Sequence, residues 1–358
     1  MFSGARQQWT AAGQLTFASH FGTWDAEHYL QLMEAGYEPG AWSCAFYPLW
    51  PLSVKLVSKL SGASYVIAGV ALANAFSLMG LVLFFRIVHK RMGREIATLS
   101  VLLLFFFPGA LFFQFIYSES LFLFLLMILC EGLEKGRFGS TLVSAFLLPL
   151  TRAIGILCVV PIAWCLLASS RRANVAAWIG QAGSSDVSEP AISPGRKWCL
   201  LSAPFIGWGA YLALMWLWTG NAWEGFKAQE YWRVQSFGNL LNPLKFVYGF
   251  FTPTGWHQHT GSVLDRCVFI ILINCLPVIW RLDRGWFVWT VVLGIVPAVS
   301  GTFSSFTRYA SVVFPLFVAL AVFLTKDRWK SLRIPVLAAF AILHFVLLWR
   351  FVNFRWAG

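Results

Sequence analysis

The sequence predicts an all-α polytopic transmembrane helical bundle, and three observations carry that prediction. Charged residues make up only 12% of the 358 residues, where a soluble domain has about a quarter. Hydrophobic residues reach 58% and the mean hydropathy is +0.68. Several apolar runs approach the roughly 20 residues that cross a bilayer, and none alternates with the period of two that a barrel strand needs. The net charge of +12 then reads as basic anchors beside membrane spans. Membrane lipids are the expected surroundings, and no nucleic-acid partner is expected.

Taken in order, Met1–Gly22 is too polar to supply the apolar core of a cleavable signal peptide. Next, "WDAEHYLQLMEAG" reads as a helix over Trp24–Gly36. Asp25, His28, Tyr29 and Leu32 share one face, and Ala26, Leu30 and Met33 form an apolar strip beside it. A helix of this kind lies along a membrane surface and can aim a carboxylate at headgroups. "FYPLWP" is a stiff, aromatic-flanked turn. "LSVKLVSKL" (Leu52–Leu60) is a second interfacial helix, with Lys55 and Lys59 one turn apart.

Apolar runs broken by charge then give about ten membrane segments: Val66–Arg86, Ala97–Ile116, Ser120–Glu131, Gly139–Leu150, Ile154–Ala168, Trp198–Thr219, Val263–Trp280, Trp286–Phe303, Tyr309–Thr325 and Ile334–Val352. The third to fifth are short. Interrupted helices are tolerated at membrane depth only where protein or water satisfies the backbone, so they point to a buried polar site.

Basic residues set the orientation. Arg86, Lys90, Arg91 and Arg94, Lys135 and Arg137, Arg171, Arg172, Arg196 and Lys197, Arg281 and Arg284, and Lys326, Arg328, Lys330 and Arg333 closely flank spans, which assigns those loops to the cytoplasm. Met1–Tyr65, Gly220–Ser262 and the turns around Glu119, Arg152 and Arg308 fall on the other side. The layout is a single integral-membrane domain over 1–358: an extracytoplasmic loop at 24–65, a helical block at 66–168, a cytoplasmic Ser/Pro/Gly linker at 169–197 and a second block at 198–358. An outside Met1 needs a span to carry it there, so a further helix upstream is expected.

Negative signals narrow the chemistry. None of the seven cysteines forms a CxxC or a Cys/His metal spacing, so they read as small core residues. There is no Asp-x-Asp, no P-loop and no GxGxxG in a βαβ setting. No metal and no cofactor is expected, and a nucleotide sugar held through a divalent cation finds no support. A donor already attached to lipid suits the apolar walls better.

Several blocks carry a family resemblance. "WDAEHYLQLMEAGY" followed by "AFYPLWPL" (Trp24, Asp25, Tyr29, Gly36, Tyr37, Phe46, Tyr47, Pro48 and Pro51), "FPGALFFQFIYSESLF" with its Tyr-Ser-Glu-Ser, and "LTRAIGIL" occur in order; "YWRVQSFGN" and "FTRYASVVFPLF" fit more loosely. Together these resemble the PIG-V family of mannosyltransferases. The resemblance implies a glycosyltransferase of the C superfamily that takes mannose from a polyprenyl- or dolichyl-phosphate donor. The acceptor would be a lipid or glycan, such as a glycosylphosphatidylinositol (GPI) precursor, as in GPI-anchor biosynthesis. It also implies an Asp in the first outer loop, which Asp25 matches, and a transmembrane helix just before it, which this chain lacks. The chain is shorter than the eukaryotic enzymes, which suggests a bacterial relative. The membrane is then a bacterial inner membrane with the site outside, or the endoplasmic reticulum in a eukaryote.

The residues support this chemistry with alternatives open. Inverting transfer needs one base at the acceptor hydroxyl, for which Asp25 is the candidate; it could equally cap its helix. Glu119 is the second catalytic candidate, as an acid that orders the site, or else a favourable first-turn acid. Arg152, embedded in "LLPLTRAIGIL", needs a partner, either the donor phosphate or a carboxylate such as Glu119. Arg308 holds phosphate or anchors its span. Trp24, His28, Tyr29, Tyr117, His257 and Tyr309 complete the expected substrate-binding set. Lys227, Glu230, Trp232 and Arg233 form either an acceptor rim or a solvated face. A related transferase for another sugar, or a lipid or sugar transporter, remains the alternative function.

Overall fold

Helices form wherever an apolar run is uninterrupted and stop where proline, glycine or a cluster of charge intervenes. The computed structural model describes residues 20–178, 193–232 and 237–358. Most of Met1–Gly22, residues 179–192 of the Ser/Pro/Gly linker and Arg233 lie outside the described residues, as do the side chains of Arg171, Arg172 and Trp232.

The helices are α1 (Asp25–Glu34), α2 (Leu49–Ser61), α3 (Tyr65–Phe106), α4 (Glu119–Glu134), α5 (Phe138–Thr151), α6 (Val159–Trp178), α7 (Pro194–Thr219), α8 (Glu224–Trp232), α9 (Phe237–Leu240), α10 (Pro243–Phe251), α11 (Val263–Leu282), α12 (Arg284–Thr290), α13 (Val296–Gly301), α14 (Phe306–Ala310), α15 (Phe314–Thr325) and α16 (Arg333–Val352). Among the described residues there is no strand, only an isolated bridge between Gly255 and Ser262.

By length and composition, five helical stretches can cross a membrane: Tyr65–Phe106, Pro194–Thr219, Val263–Leu282, Arg284–Gly301 and Asp327–Val352. With the shorter apolar helices Phe138–Thr151, Ala153–Ala168 and Phe314–Thr325, they make this an integral membrane protein. Its apolar exterior agrees: Ile334, Ile342, Phe345 and Trp349 of α16 are exposed, as lipid-facing side chains are.

Local sequence explains where runs divide. α3 turns at Gly93, whose φ of 84° lies where an L side chain is strained, so the 42-residue element is two helical arms joined at a kink. The run expected over Ala97–Ile116 stops being α-helical at Phe106. Pro108 forces its predecessor Phe107 out of the helical region, and Pro108–Phe113 continues as a 3-10 helix. Tyr309–Thr325 likewise divides, with α14 ending at Ala310 and Pro315 opening α15. The first-loop turn is shorter than expected. α2 starts at Leu49 with Pro51 in its first turn, where its missing N–H is not needed.

α3 packs on α4 and α15, and α5 packs between α4 and α7. One end of this bundle gathers the loops read as cytoplasmic. Arg91 bonds Glu134 at 2.8 Å and Asp283 at 2.9 Å, Lys135 bonds Glu131 at 2.6 Å, and Arg333 bonds Glu95 at 2.6 Å. The opposite end gathers the first loop, the Glu119 turn, Arg152 and Arg308.

Candidate active site

Four ionisable side chains from four separate segments meet at that opposite end. Asp25 stands in the first turn of α1 and Glu119 is the first residue of α4, so each carboxylate sits where a helix dipole favours negative charge. Arg152 directly follows α5 in extended backbone (φ −157°, ψ 149°). Its turn is tight because a Cβ on Gly155 would lie 2.3 Å from the Leu148 carbonyl oxygen. Arg308 is carried by the five-residue α14.

The pairing is specific. Arg308 donates through Nε to Glu119 Oε1 and through Nη1 to Asp25 Oδ2. Arg152 Nη1 reaches the same Glu119 Oε1. Glu119 thus holds both guanidinium groups, and Asp25 holds one. Two positive and two negative charges cancel, so the cluster is neutral at rest. Burial ranks the four: the side chain of Glu119 is 2% exposed, Arg308 9%, Arg152 14% and Asp25 23%. The acid with the single partner is the one that solvent or substrate can reach.

Neither carboxylate is merely a cap. Trp24, not Asp25, occupies the N-cap position of α1, and it makes no side-chain cap bond. Ser118 precedes α4 but does not cap it either; its hydroxyl accepts from Tyr29 Oη at 2.9 Å and from Arg152 Nη1 at 3.5 Å. Tyr29 is therefore a buried brace between α1 and the Glu119 turn. Aromatic faces line the cations, as expected for desolvated guanidinium groups. Arg308 lies 4.7 Å from the Tyr117 ring centroid and 4.9 Å from that of Phe112, and Arg152 lies 5.2 Å from that of Tyr309. Tyr117 also donates to the Thr23 carbonyl at 3.2 Å.

Around Asp25 the wall is aromatic. Trp24 meets Trp356 edge to face at 5.5 Å, and Trp356 meets His259 in the same way at 4.7 Å. His28 stacks on Phe46 at 5.1 Å. Burial lowers the pKa of both His28 and His259 despite the opposing pull of the Asp25 charge, which favours the neutral imidazole. Trp24 has φ 57°, a conformation rare for a bulky residue and typical of constrained sites.

The structure therefore brings together Asp25, Glu119, Arg152, Arg308, Tyr29, Tyr117 and Tyr309, with Trp24 and His28 beside them. His257 lies one layer back: its Nδ1 meets Ser262 Oγ at 3.0 Å and its carbonyl accepts from Arg350 at 3.0 Å. It is His259, two residues on, that feels Asp25. The sequence offered His257 and His259 together in "WHQH", and His257 was the one placed in the substrate-binding set; Asp265, fully buried at the start of α11, was missed. The signal for Asp265 was available, since an acid entering an apolar run is as unusual there as at Glu119. Among the described residues no cluster of His, Cys, Asp or Glu could hold a metal.

At 16, 14 and 12 residues, α4, α5 and α15 rise about 24, 21 and 18 Å, against a hydrocarbon core of about 30 Å. Each is shorter than that core, and the four-charge cluster lies at the ends of α4 and α5 away from the Glu131–Lys135 pair.

Comparison with known proteins adds the following. The family model described as Mannosyltransferase (PIG-V) matches residues 11–178. No curated protein matches the chain in sequence. Two crystal structures of the Archaeoglobus fulgidus oligosaccharyltransferase are similar. One is tethered to an acceptor peptide containing the NVT sequon, and the other is in complex with Zn and sulfate. Both are 12% identical, with TM-scores of 0.45 and 0.46. They cover 95% of this chain but only 51% and 49% of their own, so the chain spans about half their length.

Proposed function

We propose, from the match of residues 11–178 to the family model described as Mannosyltransferase (PIG-V), that this chain is a glycosyltransferase that moves mannose from a polyprenyl- or dolichyl-phosphate donor to a lipid or glycan hydroxyl. The observation that carries this reading is Arg308, held between a buried Glu119 and a partly exposed Asp25.

Arg152 and Arg308 receive the donor phosphate. A phosphate leaving group needs cations rather than an acid, and two converging guanidinium groups suit its oxygens. Asp25 exchanges Arg308 for the acceptor hydroxyl and takes its proton as the acceptor oxygen attacks C1. The C1–O bond to phosphate breaks, its electron pair leaves with the phosphate, and the sugar inverts from β to α. Glu119 keeps the two cations together throughout. The wall of Trp24, His28 and Tyr309 flanks the reacting groups.

In this reading the site faces the extracytoplasmic side of a bacterial inner membrane, or the lumen of the endoplasmic reticulum, because the basic loops gather at the other end. The domain is single, with helical blocks at 66–168 and 198–358 joined by the 169–197 linker. The test is a purified Asp25→Ala protein with lipid-phosphate mannose and candidate acceptors. Loss of transfer with donor still bound is expected; full turnover removes Asp25 from the mechanism.

A further inference from the structure

Arg308 sits on a short and unusual piece of backbone, which raises the question of what holds it. α14 has five residues, too few to be stable alone. The chain before it is strained: Thr302, Phe303 and Ser305 have φ of 48°, 66° and 56°. Such residues persist only where the surroundings over-determine them. Arg308 must nevertheless present Nε and Nη1 to two different carboxylates at once.

Two groups outside the four-charge cluster grip the residue before it from opposite sides. Asp265 Oδ1 accepts from the Thr307 backbone N–H at 2.7 Å and from the Thr307 hydroxyl at 2.5 Å. Asp265 is itself set by Ser262, whose hydroxyl caps the Asp265 N–H at 3.2 Å and meets His257 Nδ1 at 3.0 Å. On the other side lies Gly109. A Cβ there would fall 2.1 Å from the Thr307 carbonyl oxygen and 3.0 Å from Arg308 Cα. Only glycine lets the Pro108–Phe113 turn come that close. Asp265 and Thr307 are buried, at 0% and 1% exposure, so neither touches substrate.

We propose that Asp265 and Gly109 form a two-sided clamp on Thr307 and are positioning residues for Arg308, setting the guanidinium that receives the donor phosphate. The carboxylate fixes the N–H and hydroxyl of Thr307, and the absent side chain fixes its carbonyl. Arg308 is thereby aimed from its own backbone as well as by its ion pairs. This clamp rests on the reading of Arg308 given above, and its test separates the two.

The experiment measures donor KM and kcat for lipid-phosphate mannose in Asp265→Ala, Asp265→Asn, Gly109→Ala, Thr307→Val, Thr307→Ser and Arg308→Ala, and in the Asp265→Ala/Arg308→Ala and Gly109→Ala/Arg308→Ala doubles. Size-exclusion and thermal melting in detergent check folding. Thr307→Ser keeps both donors to Asp265 and should match the wild type. Thr307→Val loses only the hydroxyl and should raise donor KM about 3- to 10-fold. Asp265→Ala and Gly109→Ala should raise it more, and neither double should exceed Arg308→Ala alone. Additive effects in the doubles, or an unchanged donor KM in folded Thr307→Val and Asp265→Asn, would overturn the clamp. An unchanged donor KM in Arg308→Ala would instead overturn the reading of Arg308 as the phosphate group.

Discussion

Replacing Asp25 by Asn should make the protein bind its donor more tightly while it stops working. Arg308 at rest is shared between Glu119 and Asp25, so an incoming phosphate competes with the Asp25 carboxylate for one guanidinium. Two anions on the same guanidinium stand about 6 Å apart. Their repulsion is about 2.8 kcal/mol at an effective dielectric of 20 and about 0.7 kcal/mol in water. Asp25 is 23% exposed, which places it between those limits. Removing its charge while keeping its shape should therefore tighten donor binding by about 3- to 100-fold. Transfer should fall by about 10²- to 10⁴-fold as the base is lost. The assay is equilibrium binding of radiolabelled lipid-phosphate mannose to purified Asp25→Asn in detergent, beside initial rates with saturating acceptor. A fall of kcat together with KM is the signature of a group that opposes ground-state binding and serves the transition state. Weaker donor binding by Asp25→Asn would refute the idea that the carboxylate and the phosphate exchange on Arg308.

Other perturbations follow from the same geometry. Glu119→Ala leaves two buried guanidinium groups without their shared partner and should cost about 3–5 kcal/mol of stability, read as a large loss of melting temperature or of monodisperse protein; Arg152→Ala, which removes one ligand of Glu119, should cost less. Tyr29→Phe deletes the 2.9 Å bond to Ser118 and should lower stability by about 1 kcal/mol, with donor KM shifting less than in Arg308→Ala. Glu224 ties the two outer loops, accepting from Gly40 N–H at 2.7 Å and from Asn221 at 2.8 Å, and the Gly40 N–H above all lowers its pKa below 4.5. Its contribution is thus present above pH 4.5 and lost as pH falls through the folded pKa. The gap in melting temperature between wild type and Glu224→Gln should narrow as pH is lowered below 4.5 through the folded pKa, and a gap that stays constant through acid unfolding would refute the linkage.

The fold class was legible because hydropathy acts on long stretches, and every apolar run identified from composition contains helix. Boundaries were less legible where proline redirects an apolar run without changing its hydropathy, as at Pro108 and Pro315. Glu119 and Arg152 were visible because each interrupts an apolar stretch, Glu119 between two such runs and Arg152 in "LLPLTRAIGIL"; Asp25 was visible through the first-loop resemblance, and Arg308 as a lone cation in "SSFTRYAS". The Arg152–Glu119 pair was one of the two partners the sequence offered for Arg152, and it is present; the pairing of Arg308 was not visible. Nothing local to Arg308 reveals that one guanidinium spans residues 25 and 119, since that depends on how α1, α4 and α14 dock. His257 and His259 were indistinguishable for the same reason. Their loop carries a bridge at Gly255–Ser262 and a Ser262 hydroxyl that turns His257 inward, and this leaves His259 against Trp356. Asp265 escaped notice because Ser262 and Asp265 look like an ordinary helix start, which they also are.

The neutrality of the resting cluster has a physical origin that bears on how the site works. A guanidinium at the bilayer centre costs about 2.5–3.5 kcal/mol on insertion scales, and both arginines are largely buried within a bundle of apolar helices. Unpaired, they would oppose insertion; paired to two fixed carboxylates of equal burial, they would be closed to phosphate. The arrangement resolves this by making the carboxylates unequal. Glu119 binds both cations from the most buried position, so it keeps them together whether or not donor is present. Asp25 binds only Arg308 and is the most exposed of the four, so it is the partner an anion can displace. In the proposed mechanism, displacement would yield an unpaired carboxylate as phosphate arrives and so would couple donor binding to the appearance of the base. On this argument acceptor deprotonation requires bound donor. A donor analogue lacking the phosphate charge should therefore leave Asp25 on Arg308 and give no acceptor-dependent turnover even at saturation. Transfer from such an uncharged analogue at a rate near that of the natural donor would show that the ion pair opens on its own.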